Sequence, residues 1–384
     1  MKFTANTKAL ASVLDCVSPA VKTRSTLPIV TCILFEREGN DHIRLTATDL
    51  HKLTIVEHLQ VQFSASPDKQ TARIAVPASH LVNTVRSLGD MPATFEFSDR
   101  FALKIRTVRG EYTMSGYDGA DFPAVQEVDK THEIEVPRDL LIKAVKTTRF
   151  AVASDEGRPG MRGYLFQVRK DSLRVVATDS HRLVRCKLAN LNCSSSGDVV
   201  VAGPALRTLE RLSGQDTCTI TISKRHAQFD FGSSFLIASL LNSPFPNYER
   251  VATSLKHEHS IRINREMFVA AVQRTSLFAG TSTKQIRLEI KDGSVKIIGE
   301  DVERSHSAYE TMPCDLKDES SVTDTVHLAF NAIYLLGVLQ HIPTEEIVIS
   351  FGDHKKPCFV IPTEQEDGFD LFTLVMPVML KKYA

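Results

Sequence analysis

The chain has 384 residues and a formal net charge of zero, with 46 basic and 46 acidic side chains; 42% of residues are hydrophobic and 24% charged, as in ordinary globular proteins. No apolar run is long enough to span a bilayer, and the opening "MKFTANTKAL" lacks the apolar stretch of a secretory leader, so the chain is expected to stay in the cytoplasm. Seven cysteines, an odd number with no CxxC pair, fit neither a disulfide framework nor a zinc site and read as reduced core thiols.

In chain order, Lys2-Phe3 opens a strand. A helix over 7–18 follows, with Leu10, Val13, Leu14 and Val17 on one face and Asn6 at its cap. "IRLTATDL" (43–50) reads as a strand, and "RIAVPASHLVNTVRSL" (73–88) as a strand leading through Pro77 into a second helix over 78–88. Residues 93–117 alternate as a hairpin and a further strand, with a turn at Ser98-Asp99, and "DFPAV" (121–125) punctuates the end.

The pattern then restarts twice. "HEIEVPRDLLIKAVKTTRFAV" places Ile134 131 residues after Phe3, and "HSIRINREMFVAAVQRTSLFA" places Ile261 127 residues after Ile134. "LRVVATDSHRL" (173–183) and "VKIIGEDVER" (295–304) repeat the first strand motif with Asp49, Asp179 and Asp301 in register. "DVVVAGPALRTLERL" (198–212) and "TVHLAFNAIYLLGVLQHI" (325–342) repeat the second strand and helix. The remaining helices are expected over 138–150, 204–212, 264–277 and 331–341, with Pro137 and Asn264 as caps. Hairpins are expected over 218–241 and 345–380, turning at Lys224-Arg225 and Gly352-Asp353. "PFPNYERV" (244–251) reads as an extended linker. Repetition on this scale means one α+β fold used three times, two helices packed on antiparallel sheets in each copy, with boundaries at 1–126, 127–254 and 255–384. Such a chain builds a large curved or closed scaffold rather than a pocket enzyme.

Charge is unevenly spread. The six helix segments carry a net +6 and the rest of the chain −6. Solvated helix faces and a surface for a polyanion both account for that excess. "TDSHRL" (178–183) offers Asp179 beside Ser180 and His181, yet the Asp recurs in every copy and the His does not. A turn-capping Asp therefore explains it better than hydrolytic chemistry. "EGRPG" (156–160) is too poor in glycine to cradle a phosphate, and no metal-ligand motif appears.

The threefold repeat together with "LPIV" (27–30), "ATDSHRL" (177–183), "FPNYERV" (245–251), "FNAIYLL" (330–336) and "VMPVML" (375–380) resembles the bacterial DNA polymerase III beta subunit, the DNA sliding clamp family, along the chain to about Leu380. The resemblance implies a head-to-tail homodimeric ring of six domains whose twelve helices line a hole for duplex DNA, without sequence preference, cofactor, metal or catalysis. It implies a nucleoid-associated processivity factor. Its partners would be the replicative polymerase alpha subunit, the clamp loader, and other polymerases and repair proteins, bound through short peptides. Arg24, Lys143, Lys146, Arg149, Arg207 and Arg211 would face DNA. Thr178, His181, Arg182, Leu183, Pro246, Arg250, Val251, Asn331, Tyr334, Val375, Met376, Pro377, Val378 and Leu380 would form a hydrophobic peptide cleft, with Arg182 and Arg250 as its polar rim. Tyr112 and Met114 would meet Leu277 and Phe278 of a second copy. Ser180 stands where the family frequently has Gly, Met379 where it often has Arg, and Lys381–Ala384 extend past the usual end. For Arg24, a solvated loop arginine is an equally good reading of the sequence. A protein-binding scaffold that never encircles DNA, and an enzyme using Asp179 and His181, are the alternatives.

Overall fold

A computed structural model of the chain describes residues 1–64, 73–129, 132–193, 196–253, 259–316, 325–352 and 356–379. Among these, seven α-helices are present: α1 (Thr7–Val17), α2 (Ala78–Ser87), α3 (Arg138–Thr148), α4 (Gly203–Leu206), α5 (Tyr248–Thr253), α6 (Arg265–Ser276) and α7 (Ala332–Leu339).

The sequence repeat is visible down to single hydrogen bonds. The first helix of each copy, α1, α3 or α6, follows a strand and is pinned at its first residue. The amides of Thr7, Arg138 and Arg265 donate to the carbonyls of Met91, Asp216 and Glu345 at 2.9, 2.8 and 2.8 Å. Asn6 caps α1 by accepting from the Lys8 and Ala9 amides, and Asn264 caps α6 by accepting from Met267. At the far end a hydroxyl bonds back one turn in every copy: Ser18 to Leu14, Thr148 to Ala144 and Thr275 to Ala271. The buried faces are Leu10, Leu14 and Val17, then Leu141, Ala144 and Val145, then Phe268, Ala271 and Val272. Each large apolar side chain among them contributes about 1.5–3 kcal/mol. Val13 is only half-buried; Cys16 takes its place in the core.

The chain packs as two compact units, residues 1–142, 192–195 and 201–241 in one, 143–191, 196–200 and 242–384 in the other. Each has a large antiparallel sheet that joins strands of two successive copies. In the first unit, Leu53–Gln60 pairs with Phe235–Ser239, with Ile55 opposite Leu236. In the second, Arg182–Leu188 pairs with Phe369–Val375, with Leu183 opposite Leu374. Both joined sheets have nine strands among the described residues. Three sequence copies thus give two packing units, because the sheet ladder continues across each copy boundary.

Each unit also has a smaller sheet with an open edge. The five-stranded one runs Gln62–Phe63, Lys2–Asn6, Pro92–Phe97, Ala102–Arg106, Glu111–Ser115. The four-stranded one runs His306–Pro313, Ser294–Asp301, Gln285–Lys291, Val326–Asn331.

Two expected elements differ. The helix expected over 204–212 is α4 followed by a separate 3₁₀ turn, Leu209–Arg211; the Thr208 hydroxyl takes the Ala205 carbonyl between them. The linker at 244–251 is not extended throughout, since residues from Tyr248 form α5. All seven cysteines are buried free thiols. Burial pushes Cys32 and Cys314 up to about 11 and Cys358 up to about 12, and raises Cys16, Cys186 and Cys218 further, so these six are not ready nucleophiles.

Candidate functional site

The repeated Asp caps a turn in every copy. Asp49 accepts from the His51, Lys52 and Leu53 amides, Asp179 from those of His181 and Arg182, and Asp301 from Arg304. The second oxygen of Asp179 takes Arg182 Nε at 3.0 Å. Nothing joins Asp179 to the His181 ring, which lies instead flat on Tyr334, 4.7 Å between centroids at 10°. The hydrolytic reading therefore has no geometry behind it.

Around this turn the second unit builds a stack. The Arg182 guanidinium lies between two rings, 4.9 Å from Phe150 and 5.1 Å from Tyr334, and Nη2 donates to the Phe150 carbonyl at 2.8 Å. His341 also stacks on Phe150, 4.3 Å between centroids. Gly337 leaves room for the guanidinium: a Cβ there would sit 2.1 Å from Arg182 Nη1. The Arg182 side chain is only 13% exposed. The expected rim arginine is thus largely enclosed, though it still lines the cavity described below. A sequence shows a charge but not that an aromatic pair and a backbone carbonyl enclose it.

Burial also withdraws Thr178, Leu183 and Val375 from the accessible wall, at 6, 4 and 0% exposed. Thr178 clasps the turn by donating to the Arg182 carbonyl, and Val375 sits opposite Arg182 in the sheet. The tail then crosses the site. Met376 N donates to the His181 carbonyl at 2.7 Å and Val378 N to Ala329 at 2.8 Å, leaving Met376, Pro377 and Val378 half-buried. Asn331 caps α7 through the Ile333 amide and donates to Thr283, so it fixes the helix that carries Tyr334. α5 is held by Tyr248 to Gln167 and by Glu249 to Arg174, which turns Arg250 and Val251 outward just after Pro246. Leu380 and residues 381–384 lie outside the described residues.

Beside His181 and Tyr334 opens a cavity of about 320 Å³, lined also by residues 152–155, Arg158, Asp179 and Arg182. Sequence reading assigned "EGRPG" (156–160) no phosphate-cradling role and did not place the 152–158 loop at this site. Just after it the backbone at Gly160 runs so close that a Cβ would sit 2.2 Å from the Pro244 carbonyl.

The expected DNA-facing cations divide by environment. Arg24, Arg207 and Arg211 are exposed and form no ion pair among the described residues; Lys146 is exposed and Arg149 half-buried. Lys143 is bonded to Glu366 and lies over the Phe369 ring. Arg86 pairs with Asp15, and Arg274 with Glu310 through two 2.6 Å bonds. Of the helices' +6, Lys143 and Arg274 are thus offset by carboxylates outside those helices, whereas the Arg86–Asp15 pair already lies within the count.

At the open sheet edges, Tyr112 is 39% exposed and Met114 half-buried on Glu111–Ser115, while Leu277 is 79% and Phe278 41% exposed at the end of α6. Next to α6 the edge strand His306–Pro313 bears Tyr309, 68% exposed, which sequence reading passed over. Its alternation was weak, because its exposed face carries an apolar side chain.

Three family models match in order: the DNA polymerase III beta subunit N-terminal domain over residues 1–126, its central domain over 135–247 and its C-terminal domain over 255–379. A beta sliding clamp of Pseudomonas putida is 28% identical over 384 residues, covering 99% of this chain and all of the relative. One of Synechococcus elongatus is 27% identical over 390 residues with the same coverage. Among solved structures, the DnaN sliding clamp of Pseudomonas aeruginosa bound to griselimycin aligns with a TM-score of 0.89 at 28% identity, covering 99% of this chain and 100% of that one. The Bacillus subtilis sliding clamp aligns with 0.86 at 25%, with the same coverage. With all three domain models matched in sequence order from end to end, the chain belongs to the DNA polymerase III beta subunit family.

Proposed function

We propose that the chain is a DNA sliding clamp with clamp domains at 1–126, 127–254 and 255–384, closing head to tail with a second copy into a ring around duplex DNA. One observation carries the reading: the first and third copies each present a sheet edge that has no partner strand among the described residues and lies beside partly or fully exposed apolar residues. Tyr112 and Met114 mark one, Leu277, Phe278 and Tyr309 the other. Two different open edges on one chain favour a heterologous contact, and closure after two copies hides both. Arg24, Lys146, Arg149, Arg207 and Arg211 then attract phosphates without reading bases, with Lys143 contributing less because Glu366 holds it.

Such a ring has no chemistry of its own. It tethers the replicative polymerase alpha subunit and other polymerases and repair proteins, through short peptides seated against His181, Tyr334, Pro246, Arg250, Val251 and Met376–Val378. Arg182 and Asn331 support that surface from beneath. A clamp loader opens the ring in the cytoplasm, at the nucleoid.

The test is topological. Protein loaded on nicked circular DNA by the cognate loader should co-elute with the circle and leave when the circle is cut. Retention on the linear product would overturn the ring.

A further inference from the structure

Ser180 occupies a turn position that disfavours it. Its φ is +77°, and Leu50, at the same place in the first copy, has φ +75°, so the turn imposes the left-handed conformation whatever the residue. The turn itself uses only backbone and neighbours: the Ser180 amide donates to Thr178 Oγ1, as the Leu50 amide does to Thr48. The hydroxyl is therefore free for another task. It accepts from Arg158 Nη1 and lies 3.3 Å from Met161 Sδ, to which it donates.

Arg158 is the cation of the 320 Å³ cavity that remains uncommitted. Arg182 is taken up by Asp179 and the Phe150 carbonyl. Arg158 has the neutral Ser180 hydroxyl as its side-chain partner and no carboxylate partner among the described residues. Asp155, three residues earlier and in the same lining, accepts from the Gly157 amide instead. Released from Ser180, Arg158 would have Asp155 within chain reach and would be silenced by it.

We infer that Ser180 is a positioning residue that holds Arg158 across the cavity mouth, away from Asp155, to receive a carboxylate of a docked peptide. This rests on the peptide-binding reading above. A guanidinium with one donor used on a neutral hydroxyl keeps a planar pair for two carboxylate oxygens. The carboxylate is a peptide C-terminus or an acidic side chain.

The experiment titrates the intact protein with a labelled C-terminal peptide of its polymerase in three forms: free acid, C-terminal amide, and free acid with its acidic side chains changed to amides. Wild type should favour a carboxylate-bearing form about fivefold, the scale of one partly exposed ion pair. The form that loses affinity identifies the source. The preference should fall to near unity in Ser180→Gly and Arg158→Gln and return in part in Ser180→Asn, which tolerates the same backbone and offers an acceptor. Thermal unfolding checks that Ser180→Gly folds; its midpoint should be at or above wild type. Equal binding of all forms by wild type, or an undiminished preference in Ser180→Gly, overturns the inference and leaves the cleft standing. If wild type binds none of the peptides, the cleft reading falls and this inference with it.

Discussion

Replacing Arg182 by Ala separates two roles that the sequence could not. A rim arginine would touch ligand alone, and its loss would leave stability unchanged. The structure gives it four intramolecular partners. The bond to the Phe150 carbonyl, 2.8 Å, is charge-assisted and contributes about 1.5–3 kcal/mol. The two ring contacts, at 4.9 and 5.1 Å, contribute about 0.5–1 kcal/mol each. Asp179 keeps two backbone donors on Oδ1, while its other oxygen loses the Arg182 Nε donor. Allowing for non-additivity, Arg182→Ala should destabilise the second unit by about 3 kcal/mol.

A chain with two packing units need not unfold in one step, so the readout is hydrogen exchange over 172–188 and 332–341 alongside urea unfolding. Both segments should lose protection, and peptide affinity should fall because Tyr334 and His181 lose the guanidinium beneath them. Gly337→Ala makes a control. Its Cβ would meet Arg182 Nη1 at 2.1 Å, while alanine favours the helix by about 1 kcal/mol. It should weaken the peptide with a smaller loss of protection. Unchanged protection in Arg182→Ala with lost peptide affinity would refute the buried role and restore the rim.

Leu277→Ala with Phe278→Ala should convert a sedimenting dimer into monomer; a monomeric wild type at micromolar concentration would count against ring closure. Binding to short linear duplex should be weak, indifferent to sequence and steeply salt-dependent, and Arg207→Ala or Arg211→Ala should reduce the salt slope more than Lys143→Ala does, because Glu366 already offsets Lys143. A base-sequence preference would oppose the topological mechanism. His341 adds a pH dependence. Burial, then the nearby Arg182 and Arg149, hold its pKa below the ordinary histidine value, against the raising effect of its bond to the Gly337 carbonyl. The folded state therefore binds fewer protons than the unfolded one as pH falls below about 6.5, and the second unit loses stability down to the folded pKa. His341→Phe should flatten that slope in unfolding midpoints measured from pH 7.5 to 5; an unchanged slope would assign it elsewhere.

What the sequence disclosed was local and repeated. Asn6 and Asn264 cap helices because a short side-chain amide reaches amides two or three residues on, and that geometry needs no tertiary partner. The Asp49, Asp179 and Asp301 turns are legible for the same reason. Long-range pairing was not. Lys143 and Glu366 are 223 residues apart, and a helix-by-helix charge count treats both as free. The joined sheets escaped for a related reason: Phe235–Ser239 and Phe369–Val375 read as hairpin strands, and periodicity cannot say that their far side pairs with the neighbouring copy. α5 was hidden by the prolines before it, although Tyr248 and Glu249 anchor it to the second copy's sheet.

The three copies of one turn suggest how a site arises on a repeated fold. In the first copy the residue after Asp49 is Leu50, packed against the cluster of Ile29, Val30, Cys32, Leu34, Ala75 and Phe122. There the left-handed residue is used for packing. In the third copy the residue after Asp301 is Val302, 55% exposed. In the second copy the position is polar and borders a cavity, because the 152–161 loop brings Arg158 and Met161 to it and α7 brings Tyr334. The backbone geometry is held constant by Asp and Thr in the first two copies, so the side chain between them can change without disturbing the sheet seam at Arg182 and Val375. A rigid, duplicated turn thus leaves one side chain to vary, and in this chain that variation places a hydroxyl where it can orient a cation.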